Sequence, residues 1–212
     1  MTRAFFFLII FSTCSVSINC QTDNILWAGV KVQKPLSDKW GLALLPYMRY
    51  NEDLSAYQNT SVDYSVRYNF SSQWYLQLLG RTWLIPEDPN RQFVWVDIAY
   101  IESLPTLSLR WTNRLRWHQA LDINNSVDPD YIRYWSQLRL LNKGKIHPLF
   151  GIEIWMRTKD TPDLSRIRIE PGLRYDVSPD INLLLMLRRQ NFINIEKPRG
   201  DNLWVLLLTF DI

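Results

Sequence analysis

The chain has 212 residues, with 24 Lys+Arg against 21 Asp+Glu, 47% hydrophobic and 14% aromatic side chains, 10 Trp, 10 Tyr and only 7 Gly. That length suits one domain, the apolar share excludes an intrinsically disordered chain, and a net charge of +3 is too small for a nucleic-acid footprint. No run reaches the ~18 apolar residues of a membrane helix, so the aromatic excess needs another explanation.

The first twenty residues read as an address. Arg3 supplies a positive start, Ala4–Phe11 (AFFFLIIF) is an apolar run, and Ser12–Cys20 is small and polar. This is the layout of a secretory signal peptide whose apolar core is too short to span a bilayer. Cleavage after Cys20 would leave residues 21–212 as a single mature domain. Acylation of Cys20 would ask for a small residue before it, and the chain has Asn19 there. Both cysteines, Cys14 and Cys20, go with the removed segment, so the mature chain is expected to hold no disulfide, Cys-ligated metal or Cys nucleophile.

From residue 25 the chain alternates with period two. In Thr60–Phe70, Val62, Tyr64, Val66, Tyr68 and Phe70 share one face, while Ser61, Asp63, Ser65, Arg67 and Asn69 share the other. Such alternation predicts a strand with one apolar and one polar face. In chain order the predicted strands are 25–34, 40–50, 60–70, 74–84, 92–101, 106–118, 131–141, 146–158, 165–177, 181–190 and 202–212. At roughly 9–13 residues each, they are longer than ordinary globular strands and match tilted membrane strands. Brief links, Pro35–Lys39, Ser71–Gln73, Glu102–Pro105, Asn142–Lys145 and Ser178–Asp180, alternate with longer ones, Asn51–Asn59, Ile85–Arg91, Gln119–Asp130, Lys159–Leu164 and Ile193–Asp201. Short turns on one rim and long loops on the other predict an all-β, up-and-down antiparallel transmembrane barrel of 10–12 strands. Eleven segments break the even count usual in bacterial barrels, which leaves 25–34 either a piece at the seam or a sign of a missed element.

The faces decide which way the barrel is turned. The polar face carries Arg49, Arg67, Arg81, Arg110, Arg114, Arg116, Arg133, Arg139, Arg157, Arg166, Arg168, Arg174 and Arg188, against Asp63, Asp97, Glu153 and Glu170. The apolar face is nearly free of charge, so it is expected outward against lipid, with an Arg-rich lumen inside. Aromatics support this in two girdles: Trp40, Phe70, Trp74, Tyr100, Tyr175 and Phe210 near the short turns, and Trp111, Trp117, Tyr134 and Trp204 toward the other rim. The chief lumen-lining candidates are Arg67, Asp97, Arg110, Arg114, Arg116, Arg139, Glu153, Arg157, Arg166, Arg168, Glu170 and Arg174. They are expected either to fill the barrel as a cross-strand ionic network or to leave a positive conduit for an anionic solute.

Several stretches resemble a known family. NILWAGVKVQKPLSDKWGLALLPYMRYN has a Trp-containing first strand, a Lys-Pro-Leu-Ser turn and a Trp-led strand ending in an aromatic-Arg-aromatic-Asn run. With VDYSVRYNFSSQWYLQ, FVWVDIAYI and TLSLRWTNRLRWHQ, it resembles the uncharacterised Bacteroidota outer-membrane proteins called domain of unknown function 2490. The chain departs from their pattern at its end, where Asp211 and Ile212 follow Phe210. The resemblance implies a barrel in the bacterial outer membrane, with lipid and the barrel assembly machinery as partners, and brings no catalytic residues.

Chemical motifs are few. The two histidines, His118 and His147, lie beside strand ends, and no HExxH, phosphate loop or GxSxG is present. No catalytic residue, metal or cofactor is therefore expected. One alternative is a lipid-modifying barrel using His118 with Ser126 or Ser136 as nucleophile. The other is a soluble secreted barrel that binds an apolar ligand inside and exposes its Arg-rich face to water.

Overall fold

The alternation of residues 60–70 is realised with its polar face buried. Ser61 is 0% exposed, whereas Tyr64 is 49% exposed and Val66 beside it is 40% exposed. This strand belongs to a closed barrel, seen in a computed structural model that describes residues 22–86, 90–121, 130–158, 162–194 and 200–212. The expected signal peptide, Cys14 and Cys20 included, lies outside the described residues, as do parts of four of the predicted long links.

The strands are β1 (Thr22–Pro35), β2 (Trp40–Asn51), β3 (Ala56–Asn69), β4 (Trp74–Leu84), β5 (Arg91–Leu104), β6 (Leu109–Ala120), β7 (Tyr131–Leu140), β8 (Ile146–Arg157), β9 (Asp163–Ser178), β10 (Ile181–Phe192) and β11 (Gly200–Asp211). All eleven predicted segments are present. Each pairs antiparallel with its neighbours in chain order. The exception resolves the odd count: β1 is a full strand and closes the barrel by pairing parallel with β11, from Thr22 opposite Gly200 to Gln33 opposite Asp211. Parallel bonds are slanted and slightly weaker per residue, so length compensates here. The seam is pinned at its end by the Gln33 amide donating to the Asp211 carboxylate and by Ile212 N–H donating to the Gln33 carbonyl at 2.9 Å.

The short links are built from side chains that bind their own backbone. Ser37 Oγ accepts from the N–H groups of Lys39 and Trp40 at 3.3 and 3.1 Å. Ser71 Oγ does the same for Gln73 and Trp74 at 3.2 and 3.0 Å, so the repeated Ser-x-x-Trp is one turn used twice. Asn142 Oδ1 accepts from Gly144 N–H at 3.2 Å, and its amide donates to the Ile146 carbonyl at 2.7 Å. One predicted long link is short: β3 begins at Ala56, so only Glu52–Ser55 separates it from β2. Glu52, Asp53 and Leu54 turn through left-handed backbone there, with φ of 50°, 55° and 72°. Asp53 is held by Asn24, whose Nδ2 donates to Oδ1 at 2.8 Å. The alternation of residues 56–59 is blurred by a register shift at Arg49/Tyr50, which is why the sequence reads them as loop.

The outward aromatics mostly fall where the pattern put them. At the short-link rim Trp40 meets Tyr68 with ring centroids 4.7 Å apart, and Trp74 meets Tyr100 at 4.9 Å. Trp111 is a correction. It is the third residue after the link into β6, opposite Glu102 and Leu138, and so joins this girdle rather than the far one. The long-link rim keeps Trp117 and Trp204, with the Tyr50–Tyr57 pair at 5.8 Å added, while Tyr134 sits one outward position nearer mid-height.

Candidate functional site

Inside the barrel, charged side chains and aromatic rings are interleaved. Asp97 is 0% exposed, Glu170 1% and Glu153 2%, among the most deeply buried side chains described. A carboxylate loses its hydration there and has to be matched by guanidinium groups. Asp97 accepts a forked pair from Arg116, Nε at 2.5 Å and Nη2 at 2.6 Å, with Arg114 Nε 3.8 Å away. Asp63 takes the same fork from Arg81, both contacts at 2.6 Å. Glu153 is the hub: Arg133 donates to it at 2.7 Å, Arg168 at 3.0 Å, Arg114 at 3.4 Å and Trp155 Nε1 at 2.9 Å. Glu170 is met by Arg188 at 2.9 Å and by Trp135 Nε1 at 2.8 Å. These contacts link strands two apart in the wall, β6 to β8 and β7 to β9, as well as adjacent ones. The network therefore spans the curve of the lumen.

The rings form a second layer, which the sequence reading passed over. Trp95 lies under Arg81 at 4.2 Å and Arg116 at 4.5 Å. Trp155 carries Arg133 at 3.6 Å, Arg166 at 4.3 Å and Arg168 at 4.5 Å, while Arg67 lies over Tyr75 at 3.9 Å. A desolvated guanidinium over an indole face gains up to about 2 kcal/mol, so the rings stabilise the cations that the carboxylates leave under-matched. The signal was present in the parity: Phe93, Trp95, Asp97 and Ala99 alternate on one face of β5.

The network encloses a cavity of about 510 Å³. Ten basic side chains line it, Lys31, Arg49, Arg67, Arg81, Arg114, Arg116, Arg133, Arg166, Arg168 and Arg188, against the carboxylates Asp63, Glu153 and Glu170, with Asp97 buried behind Arg116. Of the sequence-predicted candidates, Arg67, Arg114, Arg116, Glu153, Arg166, Arg168 and Glu170 line this cavity. Four others sit toward the rims. Arg157 pairs with Asp163 at 3.6 Å near the long links. Arg174 pairs with Asp176 at 2.6 Å near the short links, where His147 also meets Asp176 at 3.0 Å. Arg110 and Arg139 stand directly opposite each other on β6 and β7, and the Nε of each is buried without a hydrogen-bond partner among the described residues. Asp163 and Asp176, together with Asp201 beside Gln190 and Asp211 beside Gln33 on β11, are inward carboxylates that the sequence reading left uncounted.

The soluble barrel with an apolar interior and the pairing of His118 with Ser136 lose their geometric basis. The inner face is the charged one, so the barrel has no apolar interior with an Arg-rich exterior. His118 points inward among Trp95, Phe93, Tyr131 and Trp155, at ring distances of 5.1–6.0 Å. Ser136 is on the opposite side of the wall, where Trp111 Nε1 donates to its hydroxyl at 2.9 Å beside the Tyr134–Asn113 bond of 2.7 Å. That pair cannot form a dyad. Ser126 lies outside the described residues.

The first strand, the Ser-x-x-Trp turns and the inward Asp97 of β5 are the stretches on which the resemblance rested, and all belong to the barrel just described. The family profile for proteins of unknown function (DUF2490) matches residues 24–200. The chain belongs to the DUF2490 family. The match runs from β1 to the first residue of β11, so the ionic hub is built from DUF2490 sequence, while Val205, Leu206 and Leu207 of the cavity lie beyond the matched stretch. No curated protein and no solved structure matches the chain.

Proposed function

We propose that this DUF2490 protein is an exported outer-membrane barrel whose lumen binds a small anionic solute and is largely closed to free diffusion. The reading rests on one observation: the barrel is polar inside and apolar outside. Leu42, Leu44, Leu76, Leu78 and Leu185 all stand exposed on the outer wall, while Asp97, Glu153 and Glu170 are buried within. Water penalises that arrangement and lipid favours it. In this orientation the short links face the periplasm and the long ones the outside, and the partners are outer-membrane lipid and the assembly machinery. The ionic hub argues against a wide pore, and the excess of basic groups over carboxylates sets the preference for anions.

The test is fractionation followed by labelling. The reading expects extraction only with detergent and a heat-modifiable band on a gel. It also expects Val66→Cys to react only with a lipid-soluble maleimide and Arg67→Cys with a water-soluble one. Native protein in the detergent-free soluble fraction overturns it. In planar bilayers, conductance is expected to be absent or small and anion-selective, weakening in Arg114→Gln/Arg116→Gln; cation selectivity refutes the charge argument.

A further inference from the structure

We propose that the cavity receives an amphipathic anion, a medium-length acyl chain ending in a carboxylate, which deepens the anion-binding reading above and rests on it. The cavity's two walls differ in kind. The ionic groups that line it stand mainly on β3 to β9, with Lys31 on β1, Arg49 on β2 and Arg188 on β10 besides and Leu79 on β4 as the aliphatic exception. On β10, β11 and β2, to either side of Gly29 of β1, the lining includes Leu184, Val205, Leu207 and Leu45. Val205 is buried with Leu149 and Met186, and Leu184 and Trp27 pack against them, so this part of the lumen carries an apolar patch. An inorganic anion alone would leave that surface wetted, at roughly 25 cal/mol per Å². A neutral lipid would leave the basic excess without a counter-charge. An amphipathic anion answers both, and about 510 Å³ lies within the ~300–1,000 Å³ usual for small-molecule sites.

The acidic group has a seat at one end of the apolar wall. Trp27 and Arg49 are directly opposite each other on β1 and β2, both facing the cavity. Trp27 Nε1 and Arg49 Nε are both buried with no hydrogen-bond partner among the described residues. Two adjacent donors without an acceptor are costly unless a ligand supplies one, and a carboxylate supplies two oxygens. Toward the other end of the same wall Lys31 offers a second, weaker position, opposite Thr209.

The experiment uses the detergent-extracted barrel in a nonionic detergent and reads the temperature at which its heat-modifiable band converts. Octanoate, hexanol and acetate are compared at matched concentration and ionic strength. The proposal expects octanoate alone to raise the transition, and the concentration giving half the effect to rise at least tenfold in Arg49→Gln. Lys31→Gln is expected to change it less than threefold, which keeps the assignment testable if the Arg49 variant does not fold. Equal effects of octanoate and acetate would leave an anion site without a chain site and overturn the proposal while sparing the anion-binding reading. An equal effect of hexanol would show that charge is not read and also overturn it. No effect from any anion would fail the anion-binding reading itself.

Discussion

Glu153 is the carboxylate on which the lumen network turns, and Glu153→Gln removes its charge while keeping its shape. Arg133, Arg168 and Arg114 approach it at 2.7, 3.0 and 3.4 Å. Each such attraction is worth about 4 kcal/mol at an effective dielectric near 20, so the gross loss is about 12 kcal/mol. Against this, the variant no longer desolvates a carboxylate, which returns several kcal/mol, and a net cost of about 3–5 kcal/mol remains. Arg133→Gln should cost less, about 1–3 kcal/mol, because Glu153 keeps Arg168 and Arg114 and one repulsive cation is gone. The assay is reversible urea unfolding in lipid vesicles, followed by tryptophan fluorescence. If Glu153→Gln unfolds at the same urea concentration as the parent, or if Arg133→Gln is the more damaging, the hub does not hold the network together.

Asp97→Asn should cost about 2–4 kcal/mol in the same assay, since the fork from Arg116 would be left facing a neutral amide in a fully buried position. Arg139→Gln should instead stabilise the barrel by about 0.5–1 kcal/mol, because it removes one of two like charges placed directly opposite each other; a loss of stability there would mean that an unseen anion already bridges them. A methyl group at Gly80 would lie 2.3 Å from the Tyr64 ring, so Gly80→Ala should cost about 1–2 kcal/mol. In a Tyr64→Ala background that cost should vanish, and a double-mutant cycle without coupling would refute the contact.

The strands were legible because a barrel with opposite environments on its two faces imposes period two on nearly every residue. Ser61 to Asn69 shows this in full. The pattern also gave the faces, since an apolar row at Tyr64 and Val66 beside Asp63 and Arg67 puts one kind of residue on each side of the wall. What it could not give was pairing across the lumen. Glu153 and Arg114 are 39 residues apart on strands that do not touch, and only barrel curvature brings them within 3.4 Å. The inward tryptophans escaped for a related reason. Trp95 and Trp155 look like any apolar residue until the guanidinium groups above them are seen, and attention to outward girdles drew the eye to the wrong face. The seam was legible as a parity problem but not as a solution. A strand's direction of pairing depends on which neighbour arrives beside it, and β11 is nearly the whole chain away from β1.

The parallel seam has a consequence for how this chain could be rewired. In an even-stranded barrel the first and last strands begin and finish at the same rim, and a few residues suffice to join them. Here β1 starts at the long-link rim and β11 finishes at the short-link rim. Joining them means travelling the length of β11, whose 12 residues at ~3.3 Å each cover about 40 Å. A circular permutant would need a linker of at least about 12 extended residues, laid through the lumen or across the apolar outer wall. The first route displaces the ionic hub, and in the proposed membrane setting the second puts bare backbone into lipid. This barrel therefore tolerates new ends far less readily than its regular sheet suggests, and reporter groups fused before β1 and after β11 would sit at opposite rims.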